Sequence, residues 1–214
     1  MPSSTNLYNE VLTKIYQSEW ANSMTGVILS GGKNRRMGTN KAFLEIDGER
    51  LIDRTMRIFK DVFQEVILST NAPLDYLDHD CAIITDIIHN KGSLGGIYTG
   101  LFFASCDHAF VSACDMPFLN RDFIQYMVDR ADKYDIVVPK SSDGWQPLHA
   151  IYSRRCLPVM KKLIDQDQLK ITGFYRGFKI LEIPEDIIRS YDPEEKMFIN
   201  VNTRTDFDHI LTLR

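Results

Sequence analysis

The stretch RLIDRTMRIFKDVFQEVILST, residues 50–70, changes its hydrophobic period part-way along. Leu51, Ile52, Met56, Ile58, Phe59 and Phe63 recur near helical spacing, and EVILST then forms the short apolar run of a buried strand. Upstream, Val27, Ile28 and Leu29 form a second such run, so the order strand, helix, strand predicts a βαβ unit. AIIT (82–85), AFVSAC (109–114) and DIVVP (135–139) predict further buried strands, with helices expected at about 95–105 and 120–131. This alternation predicts an α/β protein with a doubly wound, mostly parallel sheet and right-handed crossovers. The second half is less regular. HAIYS (149–153) reads as a strand, 155–166 as a helix and FKILEI (178–183) as a strand, so residues 23–214 are expected to form one domain with a late antiparallel extension.

At 214 residues and 44% hydrophobic, the chain is long and apolar enough for one sizeable core. Its net charge of -4 argues against a general nucleic-acid binder. No apolar run approaches the roughly 20 residues of a membrane span, and the first residues lack the basic start and apolar core of a signal peptide. A cytoplasmic protein with no membrane partner is expected. Cys81, Cys106, Cys114 and Cys156 contain no C-x-x-C pair, which predicts free thiols. His79, His89, His108, His149 and His209 lack metal-ligand spacing. In NLYNEVLTKIYQSEW, Leu7, Tyr8, Val11, Leu12, Ile15 and Tyr16 follow helical spacing, so residues 1–22 are expected to form a helical extension packed on its own subunit.

Ligands of such sheets gather at the carboxyl ends of the strands, which selects the loops to inspect. In GVILSGGKNRRMGTNK (26–41), Gly31 and Gly32 offer unobstructed backbone N–H groups beside Lys33, Arg35, Arg36 and Lys41, an arrangement suited to phosphates. It is not a Walker A loop, because Gly38 precedes Thr39 and Asn40, nor a dinucleotide fingerprint, because Gly31 and Gly32 are adjacent. Asp115 follows AFVSAC and is expected at a strand's carboxyl edge, where it suits either a hard cation or a helix cap. Asn71 and Asp86 follow two other strands and read as ligand groups or as turn formers. Gly95 and Gly96 are expected to open a helix, for close ligand approach or for packing. Gln146, Asn200, Asn202 and Thr203 are neutral polar groups that equally suit a ligand or buried backbone.

LSGGKNRRMGTNK (29–41) resembles the L-x-G-G-x-x-x-R-M-G-x-x-K signature of the molybdenum cofactor guanylyltransferases. The resemblance continues in the family's order through Asn71, Asp86, GSLGGIYTGL (92–101), CDMPFL (114–119), QPLHAIYS (146–153) and INVNT (199–203). One departure is Arg204, where the family usually has proline. The resemblance implies a Rossmann-like fold of the nucleotide-diphospho-sugar transferase type. It also implies transfer of GMP from GTP to the terminal phosphate of molybdenum-molybdopterin, with Mg²⁺ as cofactor and pyrophosphate released. Molybdoenzymes or their chaperones would receive the product. On the same basis Arg36, Lys41 and Asp115 are catalytic, and Asp115 binds the metal. Leu29, Gly31, Gly32, Lys41, Asn71, Asp86, Gly95, Gly96 and Asp115 contact the nucleotide, with the Asp86 carboxylate matching the N–H edge of guanine. Gln146, Asn200, Asn202 and Thr203 contact the pterin substrate. The other readings are a cytidylyltransferase, a sugar-phosphate nucleotidyltransferase, or a regulatory nucleotide binder without turnover. The Gly31–Gly32 pair favours guanine over cytosine, because the family's cytidine enzymes tend to carry alanine there, and Arg36, Lys41 and Asp115 together favour an enzyme.

Overall fold

The computed structural model describes residues 24–31 and 40–212. Strand β1 is Thr25–Ser30, followed by a small hairpin of β2 (Glu45–Ile46) and β3 (Glu49–Arg50). Helix α1 (Leu51–Val62), β4 (Glu65–Thr70) and β5 (Ala82–Ile84) come next. Helix α2 (Gly92–Phe103) leads to β6 (His108–Ala113), α3 (Arg121–Val128) and β7 (Ile136–Ser141). The chain closes with β8 (Gly144–Trp145), β9 (His149–Ser153), α4 (Leu157–Asp165), β10 (Ile180–Ile183), α5 (Glu185–Tyr191) and α6 (Arg204–Ile210).

The main sheet runs in the order β10-β7-β9-β6-β1-β4-β5, with β8 paired to β7. Pairings around β1 are parallel, with Val27 opposite both Ile67 and Val111. The late antiparallel part lies inside the sheet: β9 is inserted between β6 and β7 and is antiparallel to both, whereas β10 pairs parallel with β7.

Successive strand residues point to opposite faces, and both faces are covered. Ile28, Leu68, Phe110, Val137 and Ile151 share a core with Ile52, Met56 and Phe59 of α1 and Phe123 and Met127 of α3. Val27, Ile67, Val111 and Tyr152 face the other way, onto Leu94, Ile97 and Leu101 of α2 and Met160 and Ile164 of α4. This two-sided burial explains why the strands read as unbroken apolar runs. A third cluster joins Ile46 and Leu51 to Val201, Phe207 and Ile210, fastening α6 to the region of the small hairpin.

The expected helix start is corrected. Helix α2 begins at Gly92, not at Gly95, because Gly92 takes a left-handed turn (φ 56°) and the Gly95 N–H already bonds the Lys91 carbonyl at 3.1 Å. Gly95 and Gly96 therefore lie within the helix. All four cysteines are free, with Cys114 and Cys156 buried. Among the described residues no helix is long and apolar enough to cross a membrane. The expected N-terminal helix lies outside the described residues, as do Gly32, Lys33, Arg35 and Arg36.

Candidate active site

Strand β1 pairs with β4 on one side, and after β5 the chain crosses to place β6 on the other. That reversal opens a crevice at the carboxyl ends of β1 and β6. The Cys114 N–H donates to the Leu29 carbonyl at 3.0 Å, so the two strands stay paired to their ends, and Asp115 follows directly. Across the crevice a short 3-10 turn, Lys41–Phe43, is capped by Asn40, whose Oδ1 accepts from the Ala42 N–H at 3.2 Å. Lys41 Nζ donates to Asn202 Oδ1 at 3.3 Å, and the Val201 N–H donates to the Asp115 carbonyl at 2.9 Å. Three distant stretches thus bring Lys41, Asp115 and Asn202 together.

The electrostatics of this corner are set by partial burial. Desolvation pushes the Asp115 carboxyl above the usual carboxylate range, and the nearby Lys41 ammonium opposes the shift. Burial also pushes the neighbouring Cys114 thiol up to about 12, so it is protonated at neutral pH and donates to Ser30 Oγ at 3.2 Å. Among the described residues, no group of three or more His, Cys, Asp or Glu could hold a metal by itself. A Mg²⁺ ion fits such a place, since it is commonly held by one or two carboxylates with substrate phosphates and water supplying the rest.

The segment carrying Asn202 is held by the start of α6. Thr203 Oγ1 accepts from the Asp206 N–H at 3.1 Å, and Asp206 Oδ2 accepts from the N–H groups of Asn202 and Thr203 at 2.8 and 2.7 Å. This reciprocal capping box draws the Asp206 carboxyl below its usual range. The Thr203 hydroxyl is therefore engaged as a helix cap. Arg204 stands at the first helical position, which also tolerates proline, so the departure at this residue leaves the cap intact.

A second cluster lies at the ends of β4 and β5. Asp86 accepts from Asn71 Nδ2 at 2.9 Å and from Ser69 Oγ at 3.3 Å, so Asn71 and Asp86 form one unit. Gly31 borders it, because a Cβ there would lie 3.8 Å from Asn71 Nδ2. A Cβ on Gly96 would lie 3.2 Å from Leu29 and 3.8 Å from Asp86 Oδ1, so these residues adjoin as well. Gly95 is different: a Cβ would meet Lys91 Cβ at 2.8 Å, which accounts for this glycine by packing.

Gln146 and Asn200 both line a groove of about 550 Å³, together with Trp145, Arg189 and Glu195. Gln146 Nε2 donates to Ser141 Oγ at 2.8 Å, and Arg189 pairs with Glu195 at 3.0 Å. A partly exposed indole beside amides and charged groups suits a planar polar ring. Sequence reasoning missed Trp145, Arg189 and Glu195 in this wall. Trp145 adjoins the motif residue Gln146, which is a signal, but Arg189 and Glu195 lie on unremarkable charged stretches. Ser30 and Asn40 stand at unspecified positions of the 29–41 signature, so no motif letter marks them.

The model of the MobA-like NTP transferase domain matches residues 26–178. The molybdenum cofactor guanylyltransferase of Desulfosudis oleivorans is 39% identical over 188 residues, covering 87% of this chain and 93% of the relative. That of Syntrophotalea carbinolica is 32% identical, covering 86% and 89%. Among solved structures, the molybdopterin-guanine dinucleotide biosynthesis protein A of Archaeoglobus fulgidus superposes with a TM-score of 0.78 at 25% identity, covering 89% of this chain and 98% of that one.

Proposed function

The chain belongs to the MobA-like NTP transferase family, and on that premise we propose that it is a molybdenum cofactor guanylyltransferase. It transfers GMP from GTP to the terminal phosphate of molybdenum-molybdopterin and releases pyrophosphate. The observation that carries the reading is the meeting of Lys41, Asp115 and Asn202 at the reversal point of the sheet. The attacking phosphate is already an anion, so the reaction needs no general base. It needs alignment of nucleophile, α-phosphorus and leaving oxygen, with compensation of charge on the departing pyrophosphate.

Lys41 is assigned to the α-phosphate, and Arg36 with the backbone of Gly31 and Gly32 to the rest of the triphosphate. Asp115 would hold Mg²⁺ against these phosphates, where the ion would offset the charge of the leaving group. Leu29, Gly31 and Gly96 leave room for the nucleoside beside Asn71 and Asp86. Each Asp86 oxygen keeps acceptor capacity after bonding Ser69 or Asn71, as recognition of the guanine N–H edge requires. Gln146 and Asn200 face the pterin from the groove, and Asn202 links that side to Lys41.

The test is kcat/KM for GTP, ITP, CTP and ATP with molybdopterin as acceptor. GTP should lead, ITP should be weaker, and CTP and ATP should be poorer by about two orders of magnitude, because a site built to pair polar groups penalises analogues that leave them unpaired. Asp86→Ala should narrow the gap between GTP and ITP. Preference for CTP would overturn the guanylyl assignment, and an unchanged GTP/ITP ratio in the variant would remove Asp86 from base recognition.

A further inference from the structure

Tyr76 is fully buried in the short turn after β4, and its hydroxyl occupies a junction of the candidate site. Its oxygen lies 2.6 Å from Ser30 Oγ, on the last residue of β1, and accepts from Asn40 Nδ2 at 2.9 Å. The amide orientation of Asn40 is set independently, since its Oδ1 accepts the Ala42 N–H. Ser30 Oγ in turn accepts from the Cys114 thiol, one residue before Asp115. The ring of Tyr76 packs 5.1 Å from that of Phe43, on the same turn as Lys41. Behind it, the His79 N–H donates to the Tyr76 carbonyl, and the His79 ring contacts Asp53 of α1 at 2.9 Å.

We propose that Tyr76 is a positioning residue whose hydroxyl sets the spacing between Lys41 and Asp115, joining the Asn40 cap on one side to Ser30 and Cys114 on the other. No part of Tyr76 needs to touch a substrate. One phenol meets both polar partners because the hydroxyl offers one donor and two acceptor positions. Phenylalanine would keep the ring packing and delete the junction. Both Lys41 and Asp115 sit one residue beyond the hydrogen-bonded partners, so slack at the phenol reaches them directly. Small displacements of groups that align a phosphoryl transfer are costly to rate.

The kinetic half of this inference rests on the guanylyltransferase reading, whereas its structural half does not. In Tyr76→Phe, hydrogen exchange at peptides covering residues 40–46 should become about fivefold faster, while those covering α4 stay unchanged. Turnover with GTP and molybdopterin should show kcat about tenfold lower, with the KM for GTP changed by less than about threefold. Ser30→Ala should give a similar loss, and the double variant Ser30→Ala/Tyr76→Phe should be no worse than either single one, since both remove the same junction. Unchanged exchange at 40–46, or uniformly faster exchange throughout, overturns the positioning role whatever nucleotide the enzyme uses. A kcat close to wild type in Tyr76→Phe, or losses that multiply in the double variant, overturns it as well. Local loosening with another nucleotide preferred over GTP would overturn the guanylyl assignment and leave the junction standing.

Discussion

His149 is fully buried with neither ring nitrogen hydrogen-bonded among the described residues, and it is surrounded by Phe110, Phe123 and Phe198. Burial pulls its ring from the usual 6.5 down to about 3, so it is neutral in the fold, whereas the unfolded chain gains a proton near its ordinary value. The unfolded state then binds more protons below about pH 6.5, and stability falls as pH drops from there towards about 3, by up to about 1.4 kcal/mol per unit. Urea unfolding at about pH 7.5 and about pH 5.5 checks this: His149→Leu should lose about 1.4 kcal/mol less than wild type between the two. An identical pH dependence would show that His149 does not carry the effect. Asp115 presents the opposite case, a desolvated carboxyl in a partly buried corner that the proposed reaction would use. Asp115→Asn should fold, because it removes a desolvated charge, yet turnover should fall by about a hundredfold, near 3 kcal/mol of transition-state stabilisation. Near-wild-type turnover of the folded variant would sink the metal-binding assignment.

At the level of elements, α2 packs tightly against β1. A Cβ on Gly100 would lie 2.4 Å from Val27 Cγ1, on a strand residue that is fully buried. Alanine favours helix over glycine by about 1 kcal/mol, but overpacking costs about 1–3 kcal/mol, so packing should win. Gly100→Ala should therefore lower the urea midpoint. A raised midpoint would mean that α2 can draw back from β1 at little cost. The same element shows what local pattern misses. α2 is apolar on most sides because it is buried by the sheet, α4 and the neighbouring loop, so its period is blurred and the local pattern points to a start at Gly95 instead of Gly92. By contrast α1 has one wet and one buried face, and its expected span needed almost no adjustment.

At the scale of the whole molecule, the candidate site is assembled from residues that only the strand order brings together. The runs around Val27, Ile67, Val111 and Val137 were legible because each strand of a sheet covered on both faces must be apolar throughout, a property written into adjacent residues. The family signature at 29–41 was legible as well, since it is one contiguous stretch, and so was the position of Asp115 just beyond β6, since the apolar run before it marks the strand. By itself, then, the sequence determined the main strands, helices α1 to α4, the α/β class and the family, all of which depend on neighbours in the chain, whereas the small hairpin, β8, α5 and α6 carry too few residues to stand out by period. The insertion of β9 between β6 and β7 had no local signal, because pairing depends on competition among all strands for partners. Only the tertiary structure brought Lys41 to Asn202 across 161 residues, joined Asn71 to Asp86, and placed Tyr76 between Ser30 and Asn40. The physical reason is range: hydrophobic period is set within a few residues, whereas a hydrogen bond between distant segments exists only after the whole core has fixed where their backbones meet.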